Sequence, residues 1–210
     1  MPIINQGIAF TSQSLALIAQ KKIDPEFNHT KWSEEDLRTL RAEIRDYYRR
    51  IQRLVCVYCQ EPVGVRAAEA APVEHIVPKS QYLDFIFEPK NLCVTCADCN
   101  HFKGSNEVMF EPVIRGPRRK RYPTVSTAFQ IVHPHFDDYD QHIIKANRIY
   151  VDRTPKGHYT IGICKLNRFF QFFGTCDEFI NDAALVEAND LFFSTGTVEV
   201  GSFVNPDTDQ

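Results

Sequence analysis

One stretch of the chain is strongly periodic in its apolar positions, and long tracts after it have almost no period. Leu37, Leu40, Ile44, Tyr47, Tyr48, Ile51 and Leu54 recur at the spacing that lines one face of an α-helix. Ser33, ahead of Glu34, Glu35 and Asp36, offers a capping hydroxyl and carboxylates where a helix N-terminus exposes unpaired amides. This predicts an amphipathic helix over about 34–52, with Arg38, Arg41, Arg45, Arg49 and Arg50 mainly off the apolar stripe. Upstream, 1–32 reads as an arm or a short helix. From 55 to 106 the pattern breaks into short strands and turns, punctuated by Pro62, Gly64, Pro72, Pro78 and Pro89, and 100–108 is expected to be helical. Beyond an exposed connection at 116–124, the segments 128–132 and 159–163 read as strands, and 165–173 and 176–190 as helices. The sequence thus divides into an N-terminal arm and helix (1–54), a compact centre (55–110) and a C-terminal region (125–210) expected to pack on that centre or dock a partner.

Composition narrows the class without naming it. The chain has 210 residues, of which 43% are hydrophobic and 24% charged, as in an ordinary globular protein. No apolar run approaches the ~20 residues of a membrane span, and the N-terminus lacks the basic start and cleavage site of a secretory signal. A cytoplasmic protein with reduced cysteines is expected. The net charge of −3 gives no ground for inferring a general affinity for polyanions, so local charge matters more. Arg118, Arg119, Lys120 and Arg121 form a tight basic run between turn formers, read either as a solvated loop or as a phosphate contact. Arg49, Arg50 and Arg53 form a second cluster with the same two readings.

Chemistry concentrates in the centre. Cys56-Val-Tyr-Cys59 opens it and Cys96-Ala-Asp-Cys99 closes it. Two such knuckles can present four thiolates to one tetrahedral Zn²⁺. Between and just after them lie Glu74-His75, Asn91, Asn100 and Lys103, which a structural zinc alone leaves unexplained. A carboxylate, an imidazole and an amide together point to metal-assisted hydrolysis of a phosphodiester. A neutral imidazole takes a proton from water if its other nitrogen is fixed by an acceptor. Oxygen ligands suit Mg²⁺ or Mn²⁺, whereas thiolates do not, so two metals in two sites is the consistent reading.

Glu74-His75-Ile-Val-Pro78, then Asn91-Leu92, then Cys96-x-x-Cys99-Asn100-x-x-Lys103-Gly104 resembles the ordered pattern of HNH endonucleases over residues 56–104. The resemblance implies an α+β protein: a ββα-metal HNH core stapled by a structural zinc, with an N-terminal helix and an α/β C-terminal extension. It implies a catalytic set of His75 (general base), Asn91 (brace of the hairpin loop) and Asn100, with Glu74 and Asn100 holding the catalytic ion. Lys103 matches a basic position after the second knuckle and joins residues 118–121 as an expected nucleic-acid contact. Many members carry Asp where this chain has Glu74. The Glu-His-x-x-Pro-Lys-Ser form is similar to HNH proteins of bacterial anti-phage modules, including the nuclease component of the Septu system. This implies a DNA substrate and a partner such as an ATPase or another defence subunit. The other class left open is a zinc-stapled nucleic-acid or protein binding module without catalysis.

The remaining candidates read as structural. Cys93 is expected to be a buried spectator with an alternative ligand role open, and Cys164 and Cys176 to be core residues. His101 is expected to be a surface or substrate contact rather than a metal ligand. His133-Pro134-His135 with Asp137, Asp138 and Asp140 lacks metal-ligand spacing and reads as a structural loop. Phe169, Phe170, Phe172 and Phe173 read as a core or partner-facing stripe.

Overall fold

The structure, a computed structural model, describes residues 3–110 and 121–174. Helix α1 spans Ser12–Ile23, within the stretch expected to be an arm or short helix. Its start is set by Thr11, whose side chain accepts from the Ser14 amide. The periodic stretch forms α2, Arg38–Ile51, preceded by a 3₁₀ turn at Glu35–Leu37. It starts later than expected because the Ser33 hydroxyl donates back to the Thr30 carbonyl and belongs to the preceding turn. Leu40, Ile44 and Tyr48 bury its apolar stripe.

That stripe carries the hairpin of strands β1 (Val73–His75) and β2 (Leu92–Val94), antiparallel with Glu74 opposite Cys93 and His75 opposite Leu92. Strands this short have little cohesion of their own, and α2 supplies what they lack. The Gln52 amide, at the helix end, accepts from the Val94 amide and donates to the Val94 carbonyl, both at 2.8 Å, acting as one residue of an extra strand. The Tyr48 hydroxyl donates to the Pro89 carbonyl at 2.6 Å, fixing the turn before β2. Helix α3, Ala97–Lys103, starts earlier than expected because the Cys96 sulfur caps it, and ends at Gly104, whose φ of +48° side chains rarely adopt.

The C-terminal part departs most from expectation. A second hairpin, β3 (Ile143–Ala146) with β4 (Ile149–Asp152), has no counterpart in the sequence reading. The strand expected at 159–163 is helix α4, Pro155–Ile163, nucleated by the Thr154 cap and Pro155 at the first helical position. Gly157 lets this helix lie on the hairpin, since a Cβ there would sit 1.9 Å from the His142 carbonyl oxygen. The strand expected at 128–132 is reduced to one bridge, Met109 to Phe129. Helix α5, Arg168–Phe173, confirms the later part of the helix expected at 165–173, while 176–190 and Cys176 lie outside the described residues. This region grips the first cysteine knuckle: Tyr139 donates to the Tyr58 carbonyl (2.8 Å), Tyr150 to the Cys59 carbonyl (2.5 Å) and Lys145 to the Gln60 carbonyl (2.9 Å). One hydrophobic cluster runs from Ile4 to Leu166. No helix among the described residues is long and apolar enough to cross a membrane.

His133 and His135 are framework residues. His133 is buried against Tyr122, and His135 Nε2 donates to the Leu92 carbonyl at 2.9 Å, beneath β2. Burial pushes the His135 imidazole down to about 4. Below the ordinary value near 6.5 the unfolded chain binds a proton that the folded chain refuses, so stability falls as pH drops from about 6.5 toward 4. His135→Gln is expected to lose less stability than the parent between pH 7 and pH 5, by on the order of 1–2 kcal/mol in urea unfolding. Identical pH slopes would show that His135 titrates as freely in the folded state.

Candidate active site and thiol cluster

The first knuckle turns through Leu54 and Gln60, both at positive φ, and brings Cys56 and Cys59 to the start of α3, where Cys96 and Cys99 stand. The four sulfurs lie within 4.8 Å of one another, and Cys59 and Cys96 are 3.7 Å apart. A tetrahedral site with bonds of ~2.3 Å has an edge of ~3.8 Å, so the disposition fits Zn²⁺. All four are free thiols, and four soft donors exclude a hard ion. Hydrogen bonds among the four sulfurs hold the Cys96 thiol well below the usual range and push the Cys99 thiol well above it. Arg168 of α5 adds a buried cation: its terminal nitrogens lie 3.9 Å from the Cys96 and Cys99 sulfurs and 3.2 Å from Asp98. Cys93 stands outside the cluster, across the hairpin from Glu74.

On the other side of the hairpin, His75 Nε2 lies 3.0 Å from the Ile86 carbonyl oxygen. A carbonyl only accepts, so Nε2 carries the hydrogen and Nδ1 keeps the lone pair. The Trp32 ring meets the imidazole edge-on, with centroids 4.6 Å apart, and fixes its plane. Burial, with help from the ammonium of Lys79, pushes His75 down to about 3, so it is neutral at pH 7. Asn91 is fully buried and braces the loop between the strands: its oxygen accepts from the Val77 amide (2.7 Å), and its nitrogen donates to the Val77 and Phe85 carbonyls. With these bonds made, it orients the loop and has no donor left for a substrate.

Glu74 and Lys103 form an ion pair at 2.6 Å, both side chains almost wholly buried. The Lys103 ammonium also donates to the His75 carbonyl at 3.1 Å, tying α3 to β1. Burial raises the Glu74 carboxyl above its ordinary range, and Lys103 opposes that rise. Glu74, His75 and Asn100 line one cleft of about 610 Å³, with Trp32, Arg45 and Lys79 on its walls. Glu74 Oε1 is taken by the Lys103 ammonium, while no hydrogen bond among the described residues engages the Asn100 side chain, whose backbone N–H donates to the Cys96 carbonyl. Two oxygen donors facing one cleft fit a hard divalent ion.

The cleft therefore gathers Glu74, His75 and Asn100, and the second cluster gathers all four cysteines. Lys103 is the exception. The sequence assigned it to nucleic acid, but its ammonium is fully buried and committed to Glu74, so it has no surface from which to reach a phosphate. Arg121 is exposed and 118–120 lie outside the described residues. His101 is exposed, as expected. The reading missed Trp32, Lys79, Arg45 and Arg168 as parts of these sites. Lys79 alone had a local signal, sitting one residue after Pro78 in the Glu-His stretch.

Residues 56–106 match the model of the HNH endonuclease family. The chain is also similar to the Septu protein PtuB of Bacillus thuringiensis, with 28% identity over 113 residues, which make up 54% of this chain and 37% of that protein. The chain thus spans little more than a third of the length of the curated relative it matches. No solved structure matches it significantly. The HNH resemblance is borne out over the central segment, and so is the narrower likeness to Septu.

The buried pair has a measurable consequence. Lys103→Met strands a carboxylate in the interior and is expected to lower unfolding stability by about 3–5 kcal/mol, with part recovered when Glu74→Gln is added. A loss under ~0.5 kcal/mol in urea unfolding would instead place Lys103 at the surface.

Proposed function

We propose that the chain is a metal-dependent HNH endonuclease that hydrolyses DNA phosphodiester bonds to leave 5′-phosphate ends. The observation that carries this reading is the buried, neutral His75, its Nε2 committed to the Ile86 carbonyl, in one cleft with Glu74 and Asn100. Glu74 and Asn100 would hold Mg²⁺ or Mn²⁺. When bound, that ion stabilises the negative charge that develops on the leaving 3′ oxygen. Cys56, Cys59, Cys96 and Cys99 hold one Zn²⁺ with a structural role.

His75 Nδ1 accepts a proton from the attacking water as the new O–P bond forms and the P–O3′ bond breaks, and solvent returns a proton to the 3′ oxygen. Trp32 and the Ile86 carbonyl hold the ring in one orientation, so little reorganisation is needed at the moment of reaction. The bound phosphodiester brings negative charge beside the imidazole and moves its proton affinity back toward the ordinary value. Asn91 keeps the loop that carries Ile86 in register with β1.

The likeness to a Septu protein supports a place in bacterial anti-phage defence, in the cytoplasm, with an ATPase or another defence subunit as partner. A zinc-stapled binding module without catalysis accounts for the four cysteines. It gives no use to the tautomer-fixing hydrogen bond of His75 or to the carboxylate and amide beside it.

Two measurements test the reading. Purified protein is expected to contain one zinc per chain by elemental analysis, and well-folded protein without zinc would remove the structural site. On supercoiled DNA with Mg²⁺ or Mn²⁺, His75→Ala is expected to cut at least ~10²-fold more slowly than the parent at unchanged zinc content. Equal rates would leave the binding module as the better reading.

A further inference from the structure

Three arginines recur at four-residue spacing along α2, and two of them are spent on the framework. Arg41 donates to the Trp32 carbonyl (2.5 Å) and the Glu34 carbonyl (2.7 Å), fixing the arm that lays Trp32 on His75. Arg49 is buried, donates to the Ala67 carbonyl at 2.6 Å and lies 3.7 Å from Asp46, fixing the loop on the opposite side. Arg45 lies between them and lines the cleft beside Glu74, His75 and Asn100. No hydrogen bond or ion pair among the described residues engages its guanidinium, and its Nε is buried with no acceptor. Asp46 and Glu69 attract it without reaching ion-pair distance.

A buried Nε with no acceptor is costly unless something completes it. The charge around it indicates what that is. Arg41, Arg45 and Lys79 line the cleft against Glu69 and Glu74, and Glu74 is already matched by Lys103 underneath. The cleft is therefore locally cationic in a chain whose net charge is −3. An unclaimed guanidinium presents a planar fork that suits two oxygens of one phosphate. A guanine edge also accepts such a fork, but here it stands beside His75, Glu74 and Asn100, the groups that the nuclease reading assigns to the scissile phosphate.

We propose that Arg45 binds the non-bridging oxygens of the DNA phosphodiester that enters the cleft, so that helix α2, outside the segment matching the HNH family, completes the substrate site. The proposal rests on the nuclease reading above and deepens it. Arg41 and Arg49 act as positioning residues that hold the two walls at the width Arg45 requires. The contact is to backbone alone and carries no base preference.

The test uses full-length zinc-loaded protein carrying His75→Ala, so that binding is read without cleavage, and a short fluorescein-labelled DNA duplex followed by anisotropy across a salt series. Adding Arg45→Gln is expected to weaken binding about tenfold and to lower the slope of log affinity against log salt by ~0.9, one phosphate contact. Arg45→Lys keeps the charge and is expected to keep the slope. Arg38→Gln, on the same helix but exposed and paired with Glu35 at 2.9 Å, is expected to stay within ~twofold. An Arg45→Gln slope equal to that of the His75→Ala parent overturns the proposal, as does an Arg45→Lys slope that falls as far as the glutamine variant's. Cleavage by the protein with His75 intact is measured alongside. If it cuts no DNA while Arg45→Gln still lowers the slope, the nuclease reading fails and the phosphate contact stands.

Discussion

Four sulfurs from two knuckles, Cys59 and Cys96 being 37 positions apart in sequence, converge to within 4.8 Å of one another. That convergence governs the centre of the protein. The strands it closes have three residues each, too short to hold a hairpin in water, and the segment between them is mostly loop. Joining the knuckles fixes both ends of that loop and the start of α3 at once. His75 and Glu74 on β1 and Asn100 on α3 then occupy one cleft without a large sheet to align them. Arg168 extends the arrangement to the C-terminal part by bringing a buried guanidinium to the same sulfurs.

Two regions line the cleft, only one of them within the segment that matches the HNH family, and a third holds the thiol cluster beside it. The central segment brings Glu74, His75 and Asn100. The N-terminal arm and α2 bring Trp32 and Arg45, anchored by the carbonyl contacts of Arg41 and Arg49. The C-terminal hairpin grips the first knuckle through Tyr139, Tyr150 and Lys145. Shortening the chain to the matched segment would keep the ligands and lose the walls.

Legibility in the sequence followed the range of the interactions. Paired cysteines carry their chemistry in their spacing, and Glu74-His75 and Cys99-Asn100 carry theirs within a few residues, in an order that resembles the HNH pattern. The apolar stripe from Leu37 to Leu54 was readable for the same reason. Lys103 was misread because nothing local separates a lysine facing solvent from one buried under a strand; only the approach of Glu74 makes burial tolerable. Trp32 and Arg45 reach the cleft through the packing of α2 on the hairpin, which leaves no spacing to detect. The segment 159–163 looked like a strand from its β-branched and aromatic residues, and the overriding signal, Thr154-Pro155, lay just ahead of it.

Trp32 is the one tryptophan in the chain, and its ring rests on His75. The protein's entire indole fluorescence therefore originates in the wall of the cleft. A protonated imidazole quenches a neighbouring indole where a neutral one does so weakly. A single lamp thus stands against one imidazole, so that light emitted by the whole molecule reports on the charge of one side chain.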